Sequence, residues 1–131
     1  MPNRLGLGLL GGLVFAAAMV PGISQAAFCK NYKQTSSNAG ACPTCKLSIA
    51  SKPSKQQYVI TSNNGWSATV TWIEGDDSVA EGPGKWKTGL GHAYSGKSFE
   101  IFLTQQGNKL DMVMETKGVS GRIEGSFRCG T

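Results

Sequence analysis

Gln57-Tyr-Val-Ile-Thr-Ser62, Asn63-Asn-Gly65 and Trp66-Ser-Ala-Thr-Val-Thr-Trp-Ile73 form the stretch whose reading decides the fold. In the first run Tyr58 and Ile60 share one face, and Val59 and Thr61 share the other. In the last, Trp66, Ala68, Val70 and Trp72 lie opposite Ser67, Thr69 and Thr71. Alternation with period two gives each strand one dry and one wet face, the mark of an antiparallel sheet. Asn63-Asn64-Gly65 predicts a hairpin through a type I′ turn, because Asn and Gly tolerate positive φ.

The same pattern runs outward from this hairpin. Upstream, Lys46-Leu-Ser-Ile-Ala50 reads as a short strand. Downstream, an acidic turn (Glu74-Gly-Asp-Asp77) leads into a loose segment holding Gly82-Pro83-Gly84, then a strand around Lys85-Trp86-Lys87 and a loop from Gly89 to Gly96. Ser98 to Thr104 puts Phe99, Ile101 and Leu103 on one face, and Gln105-Gln-Gly-Asn108 turns the chain. Lys109 to Thr116 returns with Leu110, Met112 and Met114 inward and Lys109, Asp111 and Glu115 outward. After Gly118, Val119 to Cys129 sets Val119, Ile123 and Phe127 against Arg122, Glu124, Ser126 and Arg128.

Six or seven strands joined by short turns predict an all-β fold. The expected form is a small antiparallel meander closing into a β-barrel, since closure removes exposed edges, or failing that a two-sheet sandwich. In general plan this resembles the lipocalin-like barrels and the small secreted β-barrel inhibitors. The resemblance is one of architecture alone and brings no residues with it.

The N-terminus reads as an export signal. Met1-Pro-Asn-Arg4 is basic, Leu5 to Val20 carries no charge, and Ser24-Gln25-Ala26 offers the small residues that signal peptidase needs, so cleavage is expected after Ala26. The expected division is a leader at 1–26, a polar segment with three cysteines at 27–46, and an antiparallel β domain at 47–131. Cleavage leaves 105 of the 131 residues, enough for one domain with a modest core. It also removes one of 13 basic residues against 8 acidic ones, so the exported form carries +4. The expected location is the periplasm or the extracellular space, without a membrane span in the mature form. The basic residues are too dilute for a phosphate-tracking stripe, which excludes nucleic acid as a partner.

Cys29, Cys42, Cys45 and Cys129 imply two disulfides in an oxidising compartment. Of the three pairings, 29–42 with 45–129 is the expectation here, a staple that ties the last strand to the Cys42–Cys45 segment. Cys42-Pro43-Thr44-Cys45 also has the spacing of a thiol–disulfide exchange motif. Such a motif acts from a helix N-terminus, whose dipole lowers the thiol pKa, and no helix is predicted beside it.

Candidate chemistry is sparse. His92 is the only histidine and sits in a glycine-rich loop with no evident orienting acid. Asp76 and Asp77 suit a turn better than a calcium site. Catalysis, cofactors and metals are accordingly not expected. Trp66 and Trp72, on the apolar parity of one strand, pack a core or line a ligand-holding interior. Trp86 between Lys85 and Lys87 points inward on a strand. On a loop the trio instead forms a cationic aromatic patch suited to an anionic partner. Lys85, Trp86, Lys87, His92, Trp66 and Trp72 are therefore the candidate binding residues. The expected function is a monomeric, non-enzymatic binding barrel for a small ligand or a partner protein. A redox role for Cys42 and Cys45, or an effector or inhibitor role, stands as the alternative.

Overall fold

The computed structural model describes residues 28–52, 56–73 and 75–130. The leader assigned to 1–26 lies outside the described residues. Eight strands follow in order: β1 (Asn31–Ser37), β2 (Lys46–Lys52), β3 (Gln57–Ser62), β4 (Trp66–Ile73), β5 (Asp76–Trp86), β6 (Ser98–Gln106), β7 (Lys109–Thr116) and β8 (Ile123–Cys129). Each pairs antiparallel with its neighbours in sequence, and β8 pairs with β1, so the sheet closes into a barrel. No helix occurs among the described residues. The expectation of a closing meander is met, and the sandwich is set aside.

The β3–β4 hairpin forms where the alternation places it, with Ile60 opposite Ala68 and Tyr58 opposite Val70. Its turn differs from the expected type. Only Gly65 has positive φ (99°), and Gly65 N–H donates to Ser62 O at 3.4 Å. A type I′ turn needs two positive φ angles, so the loop is a three-residue one whose last position requires glycine. At the β6–β7 hairpin, Gln106 pairs with Lys109 and the turn is Gly107-Asn108 alone.

Two strands depart from the sequence reading. Gly82-Pro83-Gly84 is not a loose segment but the middle of β5, the longest strand, paired with both β4 and β6. Glycine is required there by close approach. A Cβ on Gly82 would stand 1.9 Å from the Thr69 carbonyl oxygen, and one on Gly84 would stand 2.3 Å from the Phe99 ring. β1 is the other, a polar strand the alternation did not reveal. Its pairing with β8 carries a bulge between Ser126 and Phe127, where Thr35 Oγ1 donates to Ser126 O at 3.1 Å. A bulge of this kind bends and twists the strand, which helps a sheet curl shut. The last strand is shorter than expected, since Lys117 to Arg122 turn and leave Val119 half-buried outside β8.

The core is one cluster inside the barrel. Ile60, Val70, Ile101, Leu103 and Leu110 are fully buried across its waist. Burial of such side chains contributes roughly 1.5 to 3 kcal/mol each. Tyr32 sits below them, its hydroxyl accepting from Cys29 N–H at 3.0 Å and from Gln105 Nε2 at 3.3 Å. That end is closed by an aromatic plug. Phe28 stacks on Trp72 (centroids 4.5 Å, 12°), Tyr58 meets both rings edge-on, and Trp72 Nε1 donates to Tyr58 Oη at 3.2 Å.

The disulfides are Cys29–Cys129 and Cys42–Cys45, not the expected 29–42 with 45–129. Barrel closure is the reason. Cys129 pairs in register with Tyr32 across the β8–β1 seam, which brings it beside Cys29. Cys42 and Cys45 lie on the loop that joins β1 to β2, at the opposite end of the barrel.

Candidate functional site

At that opposite end the barrel is open. β1 and β2 pair only over Asn31–Lys33 and Lys46–Ser48, then diverge. The divergence, spanned by Ala39 to Cys45, leaves a cavity of about 430 Å³. Met112, Met114, Ile123 and Phe127 form its apolar floor, while Trp66, Trp86, Tyr94 and His92 form an aromatic wall. Gln34, Ser37, Ser62, Asn64 and the Cys42–Cys45 disulfide complete the lip.

Each part of this mouth is held by backbone-directed contacts. Asn63 clamps the disulfide loop, its Oδ1 accepting from Lys46 N–H at 2.8 Å and its Nδ2 donating to Thr44 O at 2.8 Å. Asn38 ties the end of β1 to β8, donating through Nδ2 to Arg122 O at 3.0 Å and accepting at Oδ1 from Glu124 N–H at 2.8 Å. The long loop after β5 folds back over the β3–β4 turn. Lys87 N–H donates to Gly65 O at 2.9 Å, and the Leu90 side chain rests on Gly65. Leu90 N–H donates to Ser95 Oγ at 2.6 Å, and Lys97 N–H donates to Tyr94 O at 2.9 Å.

This folding lays Tyr94 on Trp86, with centroids 5.4 Å apart and planes 23° from parallel. Trp66 stands opposite Trp86 in register and edge-on to it at 6.5 Å, and meets Phe99 edge-on at 5.6 Å. His92 is edge-on to Trp86 at 5.3 Å. Its Nδ1 accepts from Tyr94 N–H at 3.2 Å, so the neutral ring carries its proton on Nε2. Trp66 and Trp86 are each 4% exposed. The indole Nε1 of Trp86 is buried and no protein acceptor meets it.

Electrostatically the mouth is plain. No Asp, Glu, Lys or Arg among the described residues lines the cavity. Among the described residues no three histidine, cysteine or acidic side chains converge as a metal site. At the plugged end, burial raises the Tyr32 pKa above 10.0 against the lowering effect of its hydrogen bonds to Cys29 and Gln105. What the mouth can do is hold an uncharged molecule against aromatic rings and sulfur.

The six candidate residues from the sequence divide three ways. Trp66, Trp86 and His92 meet at the cavity. Lys85 and Lys87 face outward and, with Ser67 and Thr88, border a shallow hollow on the outer wall. Trp86 lies on the strand and points inward, as the strand reading has it, and the loop alternative with its cationic aromatic patch is set aside. Trp72 belongs to the plug, far from the mouth. Tyr94, Met112, Met114 and the disulfide lip were not singled out as binding residues. The parity of β7 marked both methionines as inward, but nothing in it distinguished floor from filler. Comparison with family models, with characterised proteins and with solved structures finds no match to this chain.

Proposed function

We propose that this protein is an exported binding barrel that holds a small ligand in its open mouth and acts without catalysis. The cavity itself carries the reading: about 430 Å³, within the range of small-molecule sites, with apolar and aromatic lining and a few polar groups. The two disulfides support an oxidising destination. The plugged far end and the packed waist leave this mouth as the place where a ligand enters.

The test is a panel of small neutral compounds read by tryptophan fluorescence in a Trp72→Phe background, so that only Trp66 and Trp86 report. Saturable quenching that is abolished by Gln34→Phe, which fills the cavity from a lining position without adding a reporter, is the expected result. Binding unaffected by that substitution would put the ligand elsewhere, and no binding across the panel would leave the cup without a role.

One observation favours a second reading, thiol–disulfide exchange. Cys42 and Cys45 are bonded to each other rather than engaged by Cys29 or Cys129, with Pro43 and Thr44 exposed between them. The pair does not sit at a helix N-terminus, the usual source of an activated thiolate. A reduction potential between about −270 and −120 mV would favour exchange, whereas one below about −300 mV marks a structural bond.

A further inference from the structure

We infer that the ligand of this cup is a compact, uncharged aromatic molecule bearing a hydrogen-bond acceptor, and that the Trp86 indole N–H donates to that acceptor. The inference rests on the small-ligand reading above and adds its chemistry. Four features of the mouth converge on it.

The first is shape. Ile60, Val70, Ile101, Leu103 and Leu110 fill the waist immediately below the floor, and Phe28, Tyr58 and Trp72 close the far end. A long acyl chain therefore has no channel to run down, and the space suits a short, flat body. The second is charge. A charged ligand would lose its hydration and find no formal counter-charge in the lining. The protein's net positive charge further disfavours a cation.

The third is the lining chemistry. Met112, Met114 and the Cys42–Cys45 sulfurs face the same space as the rings. Sulfur and aromatic walls together favour an aromatic guest over an aliphatic one. The fourth is the orphan donor. A buried indole N–H usually has a partner, and leaving one unmade is costly. Trp86 borders the cavity, is 4% exposed, and meets no protein acceptor at Nε1. An acceptor on the ligand would satisfy it once a small turn of the indole brings Nε1 to the cavity wall.

Four probes of similar size test this with the oxidised protein: naphthalene, quinoline, N-methylquinolinium and 1-octanol. Quinoline differs from naphthalene by one ring acceptor, and the expected result is about tenfold tighter binding of quinoline. Trp86→Phe should erase that difference, so that the variant binds quinoline and naphthalene equally well whatever its absolute affinity for either. In the wild-type protein, quinoline but not naphthalene should move the Trp86 indole N–H resonance downfield, a readout that survives even if the variant folds poorly. Equal affinities for the two, or no resonance shift, would overturn the donor assignment. Strongest binding of N-methylquinolinium would replace a neutral ligand with a cation. If only 1-octanol binds and Gln34→Phe removes it, the cup stands and the aromatic class falls. If probes bind and Gln34→Phe leaves them all unaffected, the cup falls as well.

Discussion

Gly82→Ala should break the barrel at the β4–β5 seam. A Cβ at this position would stand 1.9 Å from the Thr69 carbonyl oxygen and 2.9 Å from both the Thr69 carbonyl carbon and Val70 Cα, all backbone atoms of the adjacent strand. Neighbouring strands tolerate carbon-to-carbonyl-oxygen approaches of about 3.3 Å. Relief therefore requires the two backbones to part locally by about 1.4 Å. Ladder hydrogen bonds near 2.9 Å cannot stretch that far and survive. Losing one or two of them costs about 1 kcal/mol each, and the strain of the inserted methyl adds about 1 to 3 kcal/mol. A total near 3 kcal/mol corresponds to a fall in Tm of roughly 15 °C for a domain of this size. Thermal unfolding followed by far-ultraviolet circular dichroism measures it, with Gly130→Ala as control, where a Cβ meets nothing within 4 Å. The control should stay within about 0.5 kcal/mol of wild type. A Gly82→Ala protein melting within about 3 °C of wild type would refute the claim that close approach makes glycine obligatory in β5.

Three further outcomes follow from the geometry. Replacing Cys29 and Cys129 with serine should cost about 4 to 5 kcal/mol in chemical unfolding, because that bond closes a loop of sequence separation 100, whereas replacing Cys42 and Cys45 should cost less than about 2 kcal/mol. Asn63→Ala removes both clamps on the disulfide loop, so amide exchange at Lys46 should quicken by about tenfold or more while the waist amides stay unchanged. Tyr32 binds its proton more tightly when folded, so its contribution to stability is complete below pH 10.0 and is lost as pH rises toward the raised folded value. Unfolding free energy should therefore fall more steeply above about pH 10 in wild type than in Tyr32→Phe, and parallel curves would contradict that origin.

Much of the barrel was legible because its strands obey a local rule. Leu110, Met112 and Met114 alternate with Lys109, Asp111, Val113 and Glu115, and all three are buried. β5 was opaque because Gly82-Pro83-Gly84 carries the signature of a turn. What keeps it extended is pairing with β6 at all three residues and with β4 at Gly84, together with the lack of room for any side chain against Thr69 and Phe99, which only the assembled barrel reveals. β1 hid for a different reason. Its inward positions include Gln34 and Ser37, polar because they line the cavity rather than the core. The site was half legible for a related cause. Alternation tells which face a residue takes but not its height in the barrel, so Trp66 and Trp72 looked equivalent although one borders the mouth and the other the plug. The disulfide pairing likewise depended on which strands become neighbours when β8 meets β1.

The Cys29–Cys129 bond holds its two Cα atoms 5.8 Å apart at the plugged end, so Cys29 and Cys129 lie together on the side of the barrel away from the mouth. Anything attached there, whether an affinity handle, a second domain or a solid support, stands behind the cup and leaves the mouth facing outward. The same nearness suits the chain to circular permutation. A short linker joining Cys29 to Cys129 would replace what the disulfide now enforces, and new ends cut at Ala39–Gly40 would free one lip of the mouth without unthreading a core strand.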